Sequence, residues 1–351
     1  MNRVVEQFAT GFQVDSSVQS RQKATISIVI PTLNEEKNLP HVLPRIPKWV
    51  DEVILVDGLS TDRTVETARK LIPDIKVIME QTPGKGVALR AGFAAARSDI
   101  IVMLDADGST PPEEIPIFVS QLLNGAEFVK GSRFLQGGGT SDMEFHRKLG
   151  NWFFVKLIRL LFGGRYTDLC YGYNAFWRHA LPRLELETAD GFEIETLLNL
   201  HALRAGLKIA EVPSYEYNRI HGNSNLSAFR DGRRILWTIL KEWFRGPAVR
   251  PAQTPHWNTS SESLRSSIYM LYSEAVALHQ NRAAISEQHY QRSVIAVREA
   301  LDSVLAIEAD DAQTRRLQSH YSQIGRNQLW SFLDSDVCFV SKPVGQNERV
   351  N

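Results

Sequence analysis

Short apolar runs alternate with amphipathic helical segments from Ala24 onward. Segments with helical spacing lie at Thr61 to Ile72 and at Gly84 to Ser98. The apolar runs between them are nearly continuous, as in strands buried on both faces: Ile26 to Ile30, Glu52 to Val56, Lys76 to Met79 and Asp99 to Leu104. This order predicts strand–helix–strand units with right-handed crossovers. We therefore expect an α/β fold whose mostly parallel sheet is flanked by helices.

The same alternation continues less regularly to about residue 246. Thr110 should cap a helix that opens with two prolines. The further predicted elements are a strand at Ala126 to Phe134, an apolar helix at Lys148 to Phe162, a helix at Phe192 to Ala205, a strand at Ile209 to Val212 and a helix at Phe229 to Phe244. Residues 247–263 are rich in proline and serine, which is typical of a linker. We divide the chain into a flexible segment (1–23), the main domain (24–246), the linker, and a helical appendage with a polar tail (264–351).

Polar residues follow three of the first four predicted strands. Asn34 and Glu35 follow the first, Asp57 ends the second, and Asp105 and Asp107 follow the fourth. Because parallel sheets of this type bind ligands beyond the carboxyl ends of their strands, we expect these side chains to line one site.

Asp105 and Asp107 are the most informative pair. Carboxylates two residues apart at a sheet edge can share a hard divalent cation such as Mg²⁺ or Mn²⁺, which keeps open positions for phosphate oxygens. A metal there would stabilise the negative charge that develops on a departing diphosphate. The alternative is a solvated acidic turn.

Gly84-Lys85-Gly86 opens a predicted helix. Free backbone N–H groups and the Lys85 ammonium at such a start would suit the phosphates of the same ligand. A simple glycine-bounded helix start is the alternative.

Composition and charge exclude several classes. Forty lysines and arginines balance forty aspartates and glutamates, so no net field recruits nucleic acid. The two cysteines, Cys170 and Cys338, form no metal or disulfide pattern, which fits a reducing compartment. With neither a signal peptide nor a run long enough to span a bilayer, the expected location is cytoplasmic.

Taken in order, the motifs between about Ala24 and Phe244 carry a family resemblance. They are IVIPTLNEE, ILVDGLSTDRT, PGKGVALRAGF, VMLDADGSTPPEE, VKGSRF, TDLCYGYNAFWR, GFEIETLL and EVPSYEYNRIHGNSNL. This stretch resembles family 2 glycosyltransferases, in the branch of dolichyl- or polyprenyl-phosphate sugar synthases. The resemblance implies a Rossmann-like GT-A fold and inverting transfer of a hexose from a UDP- or GDP-sugar.

Carried over position by position, the resemblance also assigns residues. Asp105 should lie by the ribose and diphosphate, and Asp107 should hold the metal. Pro31 and Asp57 should line the base and ribose pocket, to which Glu35 and Lys85 are added as neighbours. Three arginines should face phosphates of the donor or acceptor, as guanidinium groups do well: Arg133, Arg147 and Arg219.

Three positions depart from the family pattern. Gly58 stands where many relatives have a second aspartate in the base pocket, and Ser109 stands where lipid-phosphate relatives often have glutamine near the metal. The closing motif reads Ser224-Asn225 instead of Ser-Lys, which bears on the acceptor.

Glu193 and Glu195 are the candidates for a general base. Being two residues apart on a helix, they point to different sides, and we favour Glu193 because it lies nearer the preceding loop. A hydroxyl acceptor would need such a base, whereas a phosphate acceptor would need less help. A cap or a salt bridge at the helix start is the alternative role.

Acceptor and location leave further alternatives. The apolar segment Gly150 to Gly164 could lie along the inner face of the cell membrane, or it could be core. The leading hypothesis is transfer to a polyprenyl phosphate at that face. The alternatives are a soluble or protein hydroxyl acceptor, a nucleotidyltransferase, and a non-catalytic scaffold.

Overall fold

The computed structural model describes most of the predicted main domain and part of the chain beyond it. The described residues are 24–141, 143–186, 190–222, 228–246 and 287–305, with residues 267, 271, 315 and 318–319. The predicted N-terminal segment (1–23), the predicted linker (247–263), most of the predicted appendage and the Ser224-Asn225 departure lie outside them.

A seven-stranded sheet in the order β3-β2-β1-β4-β7-β5-β8 forms the centre of the molecule. Its strands are β1 (Ile26–Thr32), β2 (Glu52–Asp57), β3 (Lys76–Met79), β4 (Ile100–Met103), β5 (Phe128–Ser132), β7 (Asn174–Trp177) and β8 (Ile209–Pro213). Every neighbouring pair is parallel except those that β7 makes with β4 and β5. A second, two-stranded sheet pairs β6 (Gly139–Thr140) with β9 (Tyr215–Glu216). The predicted α/β fold class is confirmed.

Helices cover both faces of the larger sheet. They are α1 (Leu39–Val42), α2 (Thr64–Leu71), α3 (Lys85–Ala95), α4 (Ile115–Leu123), α5 (Phe145–Phe162), α6 (Leu181–Leu184), α7 (Glu193–Arg204), α8 (Ala228–Phe244) and α9 (Glu287–Leu305), with 3-10 turns at Leu43–Arg45, Pro112–Glu114 and Arg178–Ala180. Helices α3 and α7 pack on one face, whereas α4 and α9 pack on the other. Among the described helices, none is both long enough and apolar enough to cross a membrane.

Successive residues of the central strands serve the two faces in turn. Val29 and Ile101 belong to the core beneath α3 and α7, and Ile28, Ile30 and Val102 belong to the core beneath α4. All five side chains are fully buried. Burial on both faces explains why these strands read as continuous apolar runs.

Strand β7 is an element that the sequence did not reveal. Its four residues are buried, and it runs antiparallel between β4 and β5. The strand begins with the polar Asn174, only three apolar residues follow, and the chain reaches it from α5 through irregular backbone. In the sheet, β7 therefore joins the parallel strands β3, β2, β1 and β4 on one side to the parallel β5–β8 pair on the other.

Helix α9 is built into the main core. Tyr290, Val297 and Leu301 are buried in the cluster that lies beneath α4, and α9 also contacts the turn Pro112–Glu114. That turn follows Asp105 and Asp107 by only a few residues. A segment distant in sequence thus supports the part of the chain that carries both carboxylates.

We expect Leu301→Ala to lower the free energy of unfolding by about 2–5 kcal/mol, because Leu301 is 1% exposed and its truncation leaves a cavity. Ile295→Ala is the matched control, since Ile295 is on the same helix but 48% exposed; it should cost well under about 1 kcal/mol. Urea unfolding measures both. Equal, small effects would show that α9 does not contribute to the core.

Candidate active site

The turn after β4 presents Asp105 and Asp107 at the carboxyl edge of the sheet. Asp105 donates its backbone N–H to Thr110 Oγ1 at 3.2 Å. Gly108 adopts a φ of 80°, a left-handed conformation that favours glycine. The sequence predicted Thr110 as a helix cap, and this was wrong: its hydroxyl closes the acidic turn instead, and the helical chain begins at Pro112.

Lys85, the first residue of α3, links two carboxylates. Its Nζ lies 2.7 Å from Asp105 Oδ1 and 2.7 Å from Glu195 Oε1. Burial alone would lower the pKa of Lys85, but the two carboxylates outweigh it and raise that pKa well above its usual value. The ammonium is therefore charged and holds α3, α7 and the acidic turn together.

The start of α3 does not offer the free N–H groups that the sequence suggested. Gly86 and Val87 donate theirs to the carbonyl oxygen of Asp190, at 2.9 and 3.4 Å. Gly84 has a φ of 140°, and a Cβ there would lie 2.1 Å from the same oxygen. The glycines thus let the loop before α7 dock on α3, and the predicted phosphate cradle is corrected to a backbone contact.

Of the two glutamates at the start of α7, Glu195 joins the site. It is 9% exposed and contacts Lys85. Glu193 folds back, and its Oε1 accepts the backbone N–H of Gly191 at 2.9 Å. The two do point to different sides, but the geometry does not support the preference for Glu193, because Glu193 binds the preceding loop while Glu195 contacts Lys85.

Arg219 contacts the second carboxylate of the turn. Its Nη2 lies 2.9 Å from Asp107 Oδ2, while Asp107 Oδ1 accepts both the backbone N–H and the hydroxyl of Ser109, at 2.9 and 2.6 Å. Burial raises the pKa of nearby Glu35, and the charges of Asp107 and Asp105 act in the same direction. Glu35 is therefore within the electrostatic influence of both carboxylates.

The ends of β1 and β2 are tied together beside Asp57. Asp57 is fully buried, and its Oδ2 accepts the backbone N–H of Ser60 at 2.9 Å. Asn34 Oδ1 accepts the backbone N–H of Thr61 at 2.8 Å across the two loops. Asn34 and Leu59 both have positive φ, 59° and 69°. Such strained residues cluster at ligand sites, and here they lie near the half-buried Pro31 and the buried Asp57.

The other two predicted phosphate-binding arginines are Arg133 and Arg147. Arg133 is buried, and its guanidinium contacts Asp168 at 2.6 Å and Glu216 at 2.9 Å. Two carboxylates raise its pKa against the effect of burial. Its role is corrected to a structural ion pair, because both partners already neutralise it. Arg147 is half-buried near the start of α5.

The acidic turn fits a divalent cation by its chemistry. Each of its carboxylates already has a cationic group within 3 Å, Lys85 at Asp105 and Arg219 at Asp107. Carboxylate oxygens are the ligands that Mg²⁺ and Mn²⁺ prefer. Within the described residues, no group of three or more His, Cys, Asp or Glu side chains is arranged to hold a metal.

Comparison with known proteins decides the family. Residues 27–184 match the family model "Glycosyl transferase family 2". The chain is 34% identical over 219 residues to a dolichyl-phosphate hexose transferase of Haloferax volcanii. This match covers 62% of this chain and 92% of that protein. It is 30% identical to an undecaprenyl-phosphate mannosyltransferase of Micrococcus luteus, over 61% of this chain and 94% of the relative. This chain is a family 2 glycosyltransferase.

Solved structures agree with this assignment. The glycosyltransferase is 28% identical to glucosyl-3-phosphoglycerate synthase from Mycobacterium tuberculosis, with a TM-score of 0.50 over 63% of this chain and 80% of that one. That enzyme was solved in complex with Mn²⁺, UDP and glucosyl-3-phosphoglycerate, and also with Mg²⁺ and UDP at the same TM-score. The GT-A fold expected from the sequence is confirmed.

Behind the acidic turn, the glycosyltransferase buries Glu114. Its Oε1 accepts the backbone N–H of Tyr215 at 3.0 Å, and its Oε2 contacts the hydroxyl of Ser214. Burial raises the pKa of the Glu114 carboxyl to about 8, although both hydrogen bonds act in the opposite direction. The carboxyl therefore carries a proton at neutral pH and joins the segment after the acidic turn to the segment before Arg219.

This proton makes stability depend on pH in a defined direction. Between the ordinary pKa of 4.5 and about 8, the folded protein binds a proton at Glu114 that the unfolded chain lacks. The free energy of unfolding should therefore fall as pH rises through this window, by up to about 1.4 kcal/mol per unit, and level off above it. Glu114→Gln should remove that part of the slope. Urea unfolding of both proteins from pH 5 to 9 measures the difference, and parallel curves would contradict it.

Proposed function

We propose that this glycosyltransferase transfers a hexose, with inversion, from a UDP- or GDP-sugar to a polyprenyl phosphate. The observation that carries the proposal is the charge arrangement after β4, where two adjacent carboxylates each face a cationic side chain. At such a site, an incoming metal ion can replace the cationic side chains at the carboxylates. The side chains can then bind the diphosphate. The sequence relatives supply the class of acceptor, since those two are named for dolichyl and undecaprenyl phosphates.

The donor would lie along the carboxyl edge of the sheet. Asp105 and Asp107 would hold Mg²⁺ or Mn²⁺, which neutralises charge on the departing nucleoside diphosphate. Pro31 and Asp57 would face the base and ribose; β2, which ends in Asp57, lies two strand spacings from β4, about 10 Å. Glu35, which follows β1, would lie between the ends of β2 and β4.

Cationic side chains would assist the leaving diphosphate directly. The Arg219 side chain is 26% exposed and lies beside Asp107. Its guanidinium can therefore rotate to bind phosphate oxygens while the backbone stays in place. Lys85 would neutralise the opposite side, beside Asp105. Both groups come from segments remote in sequence, so they would act on the donor only in the folded protein.

The acceptor phosphate needs little activation. A phosphate monoester has its second pKa near about 6, so it is largely dianionic at neutral pH and can attack without losing a proton to the protein. Glu195, paired with Lys85 at 2.7 Å, would then keep Lys85 in place. With a hydroxyl acceptor, the same carboxylate would be the base.

A soluble phosphorylated acceptor is the second candidate. The structural neighbour from M. tuberculosis was solved with phosphoglyceric acid, a small acceptor that carries a phosphate. Assays with a UDP- or GDP-hexose and either a short-chain polyprenyl phosphate or 3-phosphoglycerate separate the two candidates. Turnover with the lipid phosphate alone supports the leading proposal, and turnover with the small acid alone replaces it.

Helices α5 and α8 form a surface that suits an anionic membrane. They pack against each other and expose large apolar side chains: Phe145, Leu149, Trp152, Phe153, Leu160, Trp237, Trp243 and Phe244. Lysines and arginines lie among them, such as Lys156 and Arg234. Amphipathic helices of this kind lie in the headgroup layer, where a lipid-linked acceptor would be within reach.

Asp107→Asn should abolish metal-dependent nucleotide binding, because it removes the charge that attracts the metal. For the native protein, UDP or GDP with Mn²⁺ should raise the melting temperature, by mass action. Asp74→Asn, at an exposed aspartate before β3, should behave as the native protein does. Thermal shift with and without Mn²⁺ measures this. Equal stabilisation of both variants would refute the assigned role of Asp107.

The double substitution Trp152→Ser and Trp237→Ser should weaken binding to vesicles containing anionic lipid by tenfold or more, since burying an aromatic side chain contributes about 1.5–3 kcal/mol. Met79→Ser is the control, because Met79 is 51% exposed on β3, at the opposite end of the sheet from β8. Co-sedimentation with vesicles measures binding. Unchanged binding of the double variant would exclude this surface.

A further inference from the structure

A short segment after β9 closes over the acidic turn. We call residues 217–222 the strap. Tyr217 donates its backbone N–H to the carbonyl of Ser109 at 2.9 Å, and Ile220 donates its own to the carbonyl of Asp107 at 3.1 Å. The Ile220 side chain covers Gly108, where an added Cβ would lie 2.5 Å from Ile220 Cδ1. The strap therefore follows the acidic turn closely on both sides of Arg219.

Asn38 fastens the far end of the strap. Its Oδ1 accepts the backbone N–H of His221 at 2.9 Å, and its Nδ2 donates to the carbonyl of the same residue at 3.2 Å. The amide thus pairs with both backbone polar groups of one residue, as a strand neighbour would. Nδ2 also donates to Glu35 Oε2 at 2.5 Å, and the His41 and His221 rings lie 5.9 Å apart across the junction.

The Asn38 side chain does not cap its own helix. Asn38 occupies the N-cap position of α1, but its side chain makes no capping hydrogen bond there. It is 4% exposed, so its amide would be costly to bury without partners. It has one local partner, Glu35, and its other partner lies 183 positions away. The structure therefore uses this amide for a long-range contact.

We propose that Asn38 is a positioning residue that holds the strap closed and so keeps Arg219 at the diphosphate end of the donor site. The inference rests on the proposed function for the identity of the ligand, a nucleoside diphosphate. An arginine side chain loses rotamer freedom when it is fixed. Anchoring at Ile220 and His221 restricts the backbone that carries Arg219 before the ligand arrives. The guanidinium then needs only a small rotation away from Asp107.

Trypsin reports the state of the strap directly, because Arg219 is itself a cleavage point. In Asn38→Ala, cleavage after Arg219 should be about tenfold faster than in the native protein, since two hydrogen bonds that favour the closed form are lost and cleavage follows the open population. The fragments are identified by mass spectrometry. Asn151→Ala is the matched control: Asn151 is also buried and accepts the backbone N–H groups of Leu169 and Cys170. It should lower global stability without speeding cleavage after Arg219.

A second measurement tests positioning itself. The Kd of UDP or GDP with Mn²⁺ should rise about tenfold in Asn38→Ala and stay within about twofold in Asn151→Ala. Asn38→Asp keeps the acceptor for His221 N–H and should fall between native and alanine proteins; it also serves if the alanine variant does not fold. Unchanged cleavage after Arg219 would overturn the proposal, and so would faster cleavage with unchanged Kd. Absence of nucleotide binding by the native protein would refute the proposed function, while the cleavage result would still decide whether Asn38 closes the strap.

Discussion

Charge pairing at the end of β4 is the constraint on which the rest of the site depends. Two carboxylates leave the sheet within one turn, and like charges so close are stable only with cations beside them. Lys85 comes from the start of α3 and Arg219 from the segment after β9, so three remote parts of the chain must meet at one edge. The glycines around Lys85 and the hydroxyl of Thr110 are explained by that meeting, because each lets backbone come close to the pair.

A different pairing organises the protein behind this edge. The guanidinium of Arg133 is buried between Asp168 and Glu216, and Glu114 keeps a proton while it binds the chain at Ser214 and Tyr215. Removing one partner of such a buried pair typically costs about 3–5 kcal/mol, because the other charge is left unpaired. These contacts fix the direction in which the chain leaves β8, and hence where Arg219 arrives.

Much of the fold was predictable because β1, β2 and β4 are buried on both faces and therefore appear in the sequence as continuous apolar runs. Asp105 and Asp107 were predictable for a related reason, since their strand ends where its apolar run ends. Strand β7 was missed because four residues that begin with an asparagine give no periodic signal. The sequence could not decide between Glu193 and Glu195 or give the role of Arg133. Each depends on a charged partner that is remote in the sequence and close only in the folded protein. Asn38 was overlooked because its partner is His221, and no local pattern marks a contact of that range.

The docking of α9 against α4 also bears on how the chain reaches its native state on the ribosome. Helix α4 ends at Leu123 and α9 begins at Glu287, so the apolar side of α4 stays uncovered while the intervening chain is made. At ordinary rates of synthesis that interval is on the order of ten seconds. A nascent chain with so long a delay between the two halves of one core is a natural client for chaperones, and contacts of such high sequence separation slow folding.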